Sequence, residues 1–150
     1  MLFRRILFPT DFSKACDDKT DDVAQLARAL KTSLILLHVL DERALHELQK
    51  RVRKKDDFQF EQNVMVESAE KTIQELASRL AGDLEVTTRV VVGLPYAEIC
   101  QAAESEDVDL VILPTHGVGK STHEYQGTTA RNVIDLCGRP VMLFKRTDRA

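Results

Sequence analysis

Short, almost wholly apolar runs alternate with helix-like segments along this chain, and this alternation limits its fold more than any other feature. Five runs have the character of strands: residues 5–8, 33–39, 85–93, 108–114 and 139–145. Nearly continuous apolar runs are typical of parallel strands that are buried on both faces. Four segments between them have helical periodicity, and Ser13 and Pro95 stand where helices favour such residues: 13–32, 58–81, 95–106 and 128–138.

Strands that alternate with helices predict a five-stranded parallel sheet with helices on both faces. If the chain winds outward from strand 1 and then crosses back, right-handed crossovers give the strand order 3-2-1-4-5. The chain has 150 residues, which suffice for one domain with its own core, so we expect a single domain over residues 1–150.

The segment 41–82 is long and more polar than the rest of the chain. Its second part carries the helical pattern of residues 58–81, whereas its first part is either a helix or a mobile excursion. A basic cluster closes the first part, and it forms either a solvated face or a docking patch for an acidic partner: Lys50, Arg51, Arg53, Lys54 and Lys55.

Composition excludes several classes of function. The formal net charge of −3 gives no general attraction to nucleic acid or to an anionic membrane. No apolar run approaches the roughly 18 residues of a membrane-spanning helix. The three cysteines are far apart, with neither metal-binding spacing nor a disulfide framework, and they indicate a reducing, cytoplasmic location.

The predicted strand order places a candidate ligand site at the carboxyl ends of strands 1 and 4. The winding reverses between these strands, and ligands of open α/β sheets bind at such switch points. The loops there are "PTDFS", residues 9–13, and "PTHGVGKSTHEYQG", residues 114–127. Asp11 therefore has two interpretations: it accepts hydrogen bonds from the sugar or base of a nucleotide, or it caps the first helix and orders its turn.

The second loop contains "GVGKST", which matches the end of a phosphate-binding P-loop. The first glycine of a P-loop would fall at Pro114, however, and a P-loop continues into a helix that begins at its Lys-Ser. After Ser121 the sequence is polar and is interrupted by Gly127. The alternative for Lys120 is an exposed loop lysine.

A different glycine spacing suits the crevice better. Gly117 allows close approach of the backbone to a ligand. Nine residues later, Gly127, Thr128 and Thr129 open the helix 128–138, where backbone N–H groups and hydroxyls form a site that favours phosphate.

Several pieces of the sequence together resemble the universal stress protein family over essentially the whole chain. They are "ILFPTDFS", "LILLHVLD", "VVVGLPYAEI", "DLVILPTHG", "GTTARNVI" and "RPVMLFK", in that order. ATP-binding members of the family carry Gly-x2-Gly-x9-Gly-Ser/Thr. Gly117 and Gly127-Thr128 match that motif, whereas Pro114 replaces its first glycine, and proline removes an N–H and fixes φ.

The resemblance implies a Rossmann-like fold of the adenine nucleotide α-hydrolase type, an adenine nucleotide as ligand (ATP, with Mg²⁺ as a candidate companion ion), and a homodimer formed through strand 5. It also implies the site residues: Thr10 and Asp11 at the adenine and ribose, the backbone of Val39 at the base, Leu113, His116 and Gly117 beside the ribose and phosphates, and Gly127, Thr128 and Thr129 at the phosphates.

Three functions follow as hypotheses. The first is a cytoplasmic stress-response protein that binds ATP as a regulatory or sensing module. The second is a nucleotide-free dimeric interaction protein of the same family, which acts on an unknown protein partner through its dimer surface and the segment 41–82. The third is a P-loop hydrolase. No general base stands out, so any ATP hydrolysis is expected to be slow, and no residue cluster indicates a metal site.

Overall fold

The computed structural model describes residues 2–115 and 128–145. Five strands and five helices follow one another in this part of the chain: β1 (Arg5–Pro9), α1 (Lys14–Leu30), β2 (Ser33–Asp41), α2 (Glu42–Arg51), α3 (Lys55–Leu80), β3 (Val86–Gly93), α4 (Pro95–Ser105), β4 (Leu110–Thr115), α5 (Thr128–Leu136) and β5 (Val141–Lys145). All the predicted strands and helices are confirmed. The first part of the segment 41–82, which had two interpretations, forms a helix, α2.

The strands form one parallel sheet in the order β3-β2-β1-β4-β5, which confirms the predicted winding. The central strand β1 has no solvent-exposed face, since Ile6, Leu7 and Phe8 are all 0% exposed. This double burial explains why the strands read as apolar runs rather than as alternating patterns.

Two helices cover each face of the sheet. Ile6 and Phe8 point to the face covered by α1 and α3, whereas Leu7 points to the face covered by α4 and α5. Successive residues of a strand alternate between faces, so each buried strand supplies both cores. At the start of α1, Ser13 is the predicted N-cap and accepts a hydrogen bond from the backbone N–H of Cys16.

At its amino end, β1 is tied to β4 through one carboxylate. Asp109 Oδ2 accepts hydrogen bonds from the backbone N–H groups of Arg4, at 2.7 Å, and of Arg5, at 2.9 Å. These two bonds hold the pKa of Asp109 below its usual value because they favour the charged carboxylate.

Helix α3 extends beyond the sheet at the carboxyl end of the strands. Its 26 residues span about 39 Å, whereas the eight residues of β3 span about 26 Å. Its buried residues all lie in the second half of the helix: Ala69, Ile73, Ala77 and Leu80. The predicted apolar side of the helix is therefore longer than the sheet surface on which it packs. Beyond that surface, Phe60 and Val64 are 66% and 44% exposed.

The basic cluster of the segment 41–82 is fully on the surface. Every one of its five side chains is exposed, which agrees equally with a solvated face and with a docking patch. No helix in the described part of the chain has the length and apolar character needed to cross a bilayer.

Two substitutions in α3 test the unequal packing of its halves. Ile73→Ala leaves a cavity in the core beneath α3 and should lower the free energy of unfolding by about 2–5 kcal/mol. Val64→Ala removes methyl groups that already face water and should change it by less than about 0.5 kcal/mol. Urea unfolding of the two variants and the parent measures both effects, and similar losses from both substitutions would contradict the description of α3.

Candidate functional site

A crevice opens between β1 and β4 at the carboxyl edge of the sheet. The registered pairs of these two strands are Ile6–Leu110 and Leu7–Val111. On either side, β1 stays paired with β2 as far as Pro9, and β4 stays paired with β5 as far as Thr115. Strands 1 and 4 thus separate at the switch point of the winding, where ligands of this class of sheet bind.

Thr10 is the most constrained residue at this edge, because three of its polar groups are engaged. It is 5% exposed. Its N–H donates to the carbonyl of Leu37 at 2.8 Å, and its hydroxyl accepts from the N–H of Phe12 at 3.1 Å. Its own carbonyl lies 2.8 Å from Nδ1 of His38. These contacts attach the turn after β1 to the neighbouring strand β2.

Phe12 and His38 hold this turn from the α1 and α3 side. Phe12 adopts φ of 62°, a left-handed conformation that is rare for a bulky residue. Its ring stacks on the imidazole of His38 with centroids 4.1 Å apart and planes 21° from parallel. The imidazole of His38 is therefore engaged both at Nδ1 and at one face of its ring. The stack helps to offset the strain at Phe12, because it uses the direction in which that backbone points the ring.

Asp11 lies at the mouth of the crevice and is exposed. Its Oδ1 accepts a hydrogen bond from the N–H of Ser13 at 2.8 Å, so it orders its turn as one of the two interpretations predicts. The carboxylate also neighbours the thiol of Cys16. Burial is the main cause that raises the pKa of that thiol, and the nearby negative charge of Asp11 adds to it.

The other predicted site residues fall into three groups. Val39 and Leu113 lie near the carboxyl ends of β2 and β4, and both pack on the α4 and α5 side. Thr128 is the first residue of α5, and Thr129 follows it half-buried. The remaining three lie outside the described residues: His116, Gly117 and Gly127.

Helix α5 begins at the same edge of the sheet, since it runs from the carboxyl end of β4 back to the start of β5. Its first turn carries no acidic residue. The free N–H groups of a helix start attract anions, and here no neighbouring carboxylate within that turn opposes them.

A second charged group closes the edge beside β2. Asp41 caps α2 by accepting a hydrogen bond from the N–H of Arg43, and its carboxylate forms an ion pair with the guanidinium of the same residue at 2.6 Å. The side-chain hydrogen bond from Arg43 is the main cause that lowers the pKa of Asp41. Within residues 2–115 and 128–145, no group of three potential ligands from His, Cys, Asp and Glu is arranged to hold a metal ion.

Sequence reasoning did not identify Phe12 as part of the site. Its positive φ and its stacking partner depend on how β2 lies beside β1, and no local pattern records that. The only available signal was that His38 ends an apolar run directly after four leucine or isoleucine residues, which requires a polar partner nearby.

Comparison with known proteins gives one family. The model of the universal stress protein family matches residues 2–145. Universal stress protein MJ0577 of Methanocaldococcus jannaschii is 30% identical to this chain over 97% of both sequences. The solved structure of MJ0577 superposes with a TM-score of 0.79 and covers 99% of this chain and 100% of its own.

Two solved structures with bound nucleotides have the same fold. One is a universal stress protein in complex with cAMP, with 20% identity, a TM-score of 0.62, and coverage of 97% of this chain and 98% of its own. The other is the universal stress protein of Archaeoglobus fulgidus in complex with dAMP, with 20% identity and a TM-score of 0.62, covering 95% of this chain and 98% of its own. At this identity the likeness establishes the fold alone.

The contact between His38 and Thr10 predicts which ring nitrogen carries hydrogen. A backbone carbonyl only accepts, so Nδ1 of His38 must donate, and the neutral ring must carry its hydrogen on Nδ1. Long-range ¹H–¹⁵N NMR spectra of the ¹⁵N-histidine-labelled protein should show this tautomer for His38. His46, which is exposed on α2, serves as the internal comparison. A neutral His38 with its hydrogen on Nε2 would contradict the contact.

Proposed function

The chain belongs to the universal stress protein family, and from that premise we propose that it binds an adenine nucleotide, ATP in particular, in the crevice between β1 and β4. The observation that carries the proposal is the separation of these two strands at the switch point, between the Thr10–Asp11 turn and the start of α5. Family members solved with cAMP and with dAMP support an adenine nucleotide as the ligand class.

The two walls of the crevice suit the two ends of a nucleotide. Asp11 would repel phosphate, so its carboxylate fits the sugar or base, whose hydroxyl and amino groups donate hydrogen bonds. The N–H groups of the first turn of α5 suit phosphate, and Mg²⁺ would accompany a triphosphate as its counter-ion. The backbone of Val39 would contact the base, and Leu113 would border the ribose and phosphates. We propose the same roles for His116, Gly117 and Gly127 that the family resemblance implies.

Pro114 is compatible with this arrangement. Pro114 is paired in register with Phe144 of β5, whereas β4 has no registered pair with β1 at that point. A proline there costs no ladder bond to β1, and its fixed φ suits an extended strand. We expect the phosphates to be held mainly by Gly117 and the segment 127–129.

We propose a sensing or regulatory role in a stress response in the cytoplasm, with ATP as the bound signal. We expect any hydrolysis of bound ATP to be slow, because no general base stands out in the sequence. Bound ATP would therefore persist and would change the surface to which a partner binds.

Titration calorimetry with five proteins tests nucleotide binding. The parent should bind ATP with a micromolar Kd. Asp11→Ala and Gly127→Val should each weaken binding at least about tenfold, because each loses contacts worth roughly 1.5–3 kcal/mol. Pro114→Gly should hold or improve the affinity. Asp135→Ala removes an exposed carboxylate near the far end of α5 and should bind like the parent.

The same titrations with cAMP and dAMP separate the ligand class from ATP itself. If the parent binds either monophosphate but not ATP, the result would support an adenine nucleotide as the ligand class and would exclude ATP as the ligand. If the parent binds none of the three and Pro114→Gly creates binding, then Pro114 closes the site, and the nucleotide-free interaction protein becomes the function.

We also propose that the chain forms a homodimer through β5. This edge strand exposes Met142 and Leu143, which are 38% and 42% exposed, and α5 beside it exposes Ile134 and Leu136. An apolar edge strand is an aggregation liability unless a second edge pairs with it, and two-fold pairing of identical edges closes the assembly.

Substitutions on the two edge strands test the dimer. Leu143→Lys places a charge on β5 and should convert the parent dimer into a monomer. Val92→Lys is the matched control, because Val92 is 39% exposed on the opposite edge strand β3, and it should leave a dimer. Analytical ultracentrifugation at micromolar concentration measures the mass. A monomeric parent, or dissociation of both variants alike, would refute pairing through β5.

A further inference from the structure

Three consecutive residues after α5 lie against one face of α4. The thiol of Cys137 neighbours that of Cys100 closely enough to raise its pKa. Gly138 is so close to α4 that a Cβ built on it would lie 2.8 Å from Oε1 of Glu104. Arg139 forms ion pairs with Glu104 at 3.1 Å and, just past the helix, with Asp107 at 3.0 Å.

These contacts follow helical spacing, so they fix the position of the two sulfurs. Positions 100 and 104 lie above one another on one side of α4, because residues four apart are neighbours on a helix surface, and Asp107 follows the end of that helix. The segment 137–139 runs along that side, anchored at one end by the Cys137 N–H, which donates to the carbonyl of Val133 at 2.9 Å. Cys137 is therefore held by a backbone hydrogen bond on one side and by the ion pairs of Arg139 on the other.

Both cysteines are partly exposed, yet they rest on the core. Cys100 and Cys137 are half-buried, and both pack against the cluster that α4 and α5 form on the sheet. Cys16, by contrast, is buried at the start of α1 on the opposite face. A small oxidant in water can reach the pair, whereas the rigid surroundings keep each sulfur beside the other.

We propose that Cys100 and Cys137 are a reversible disulfide site, which closes when the protein meets a low-molecular-weight disulfide such as oxidised glutathione. The site is independent of nucleotide binding. It lies at the opposite end of α5 from the crevice, where the chain turns into the edge strand β5.

The reaction is a two-step thiol–disulfide exchange. The sulfur of Cys137 loses its proton and attacks the small disulfide, which forms a mixed disulfide and releases one small thiolate. The sulfur of Cys100 then loses its proton and attacks the Cys137 sulfur, which forms the internal bond and releases the second small thiol. Two cysteine sulfurs are oxidised by two electrons in all, and the small disulfide is reduced by the same two.

Electrostatics assigns this order. Burial first, and the neighbouring Cys137 second, raise the pKa of Cys100 to about 11, which disfavours its thiolate and makes Cys137 the expected first nucleophile. Once Cys137 is in a mixed disulfide it carries no charge and no hydrogen, so its contribution to the raised pKa disappears. Formation of the mixed disulfide thus prepares Cys100 for the second step.

Oxidation of the reduced full-length protein by excess oxidised glutathione tests the proposal. After acid quenching, unfolding and maleimide labelling, the intact protein should have lost two hydrogen atoms and should carry one maleimide. The reduced protein should carry three maleimides. Peptide mapping should place the bond between residues 100 and 137 of one chain, and a reductant should restore three labelled thiols.

Single variants distinguish the pair from adventitious oxidation. Cys16→Ser should still close the bond and should then take no maleimide. Cys100→Ser should accumulate a glutathione adduct on Cys137, whereas Cys137→Ser should react several-fold more slowly. Three free thiols in the parent after prolonged oxidation, a stable adduct on its Cys137, or a bond that involves Cys16 or a second chain would overturn the proposal.

Discussion

The burial of β1 on both faces is the constraint on which the rest of the structure depends. A strand with no exposed side requires a neighbour along each edge and a helix layer above and below, and Ile6, Leu7 and Phe8 are fully enclosed in this way. Polar chemistry is then possible only where the strand leaves the core. Thr10 and Asp11 appear at that point, and the neighbouring strand β4 diverges there. The position of the crevice is thus a direct result of how the core is filled.

Much of the fold could be predicted because its signals are local. Buried runs that end at Pro9, Gly93 or Pro114 mark the strands, and the reversal of winding follows from their order. Helix α2 could not be predicted with the same clarity, since Leu45 is its single buried residue and its remaining surface is charged. The part of α3 that packs on the sheet could not be predicted either, because its apolar pattern continues into turns that contain no buried residue.

The candidate site, like the fold, could be predicted only in part. Topology alone brings Asp11 and the start of α5 to one edge, so that pairing could be predicted from strand order. The detailed supports of the turn could not, because the stacking of Phe12 on His38 joins residues from different strands. The contact of Cys100 with Cys137 is hidden in the same way, since their separation along the chain resembles no known motif. Asp11 orders its own turn, as one of its two interpretations predicts, and its contact with a nucleotide is part of the proposed function.

The extension of α3 past the sheet implies a gradient of local stability along a single helix. Backbone hydrogen bonds near Ile73 can open only if the core beneath them is exposed, so their amide protons should exchange with solvent as slowly as those of the central strands. Near Phe60 the helix has no buried residue, so separate opening of those turns costs less. The end that frays most readily stands over the carboxyl edge of the sheet. One continuous helix therefore joins the most rigid part of the protein to a compliant surface at that edge.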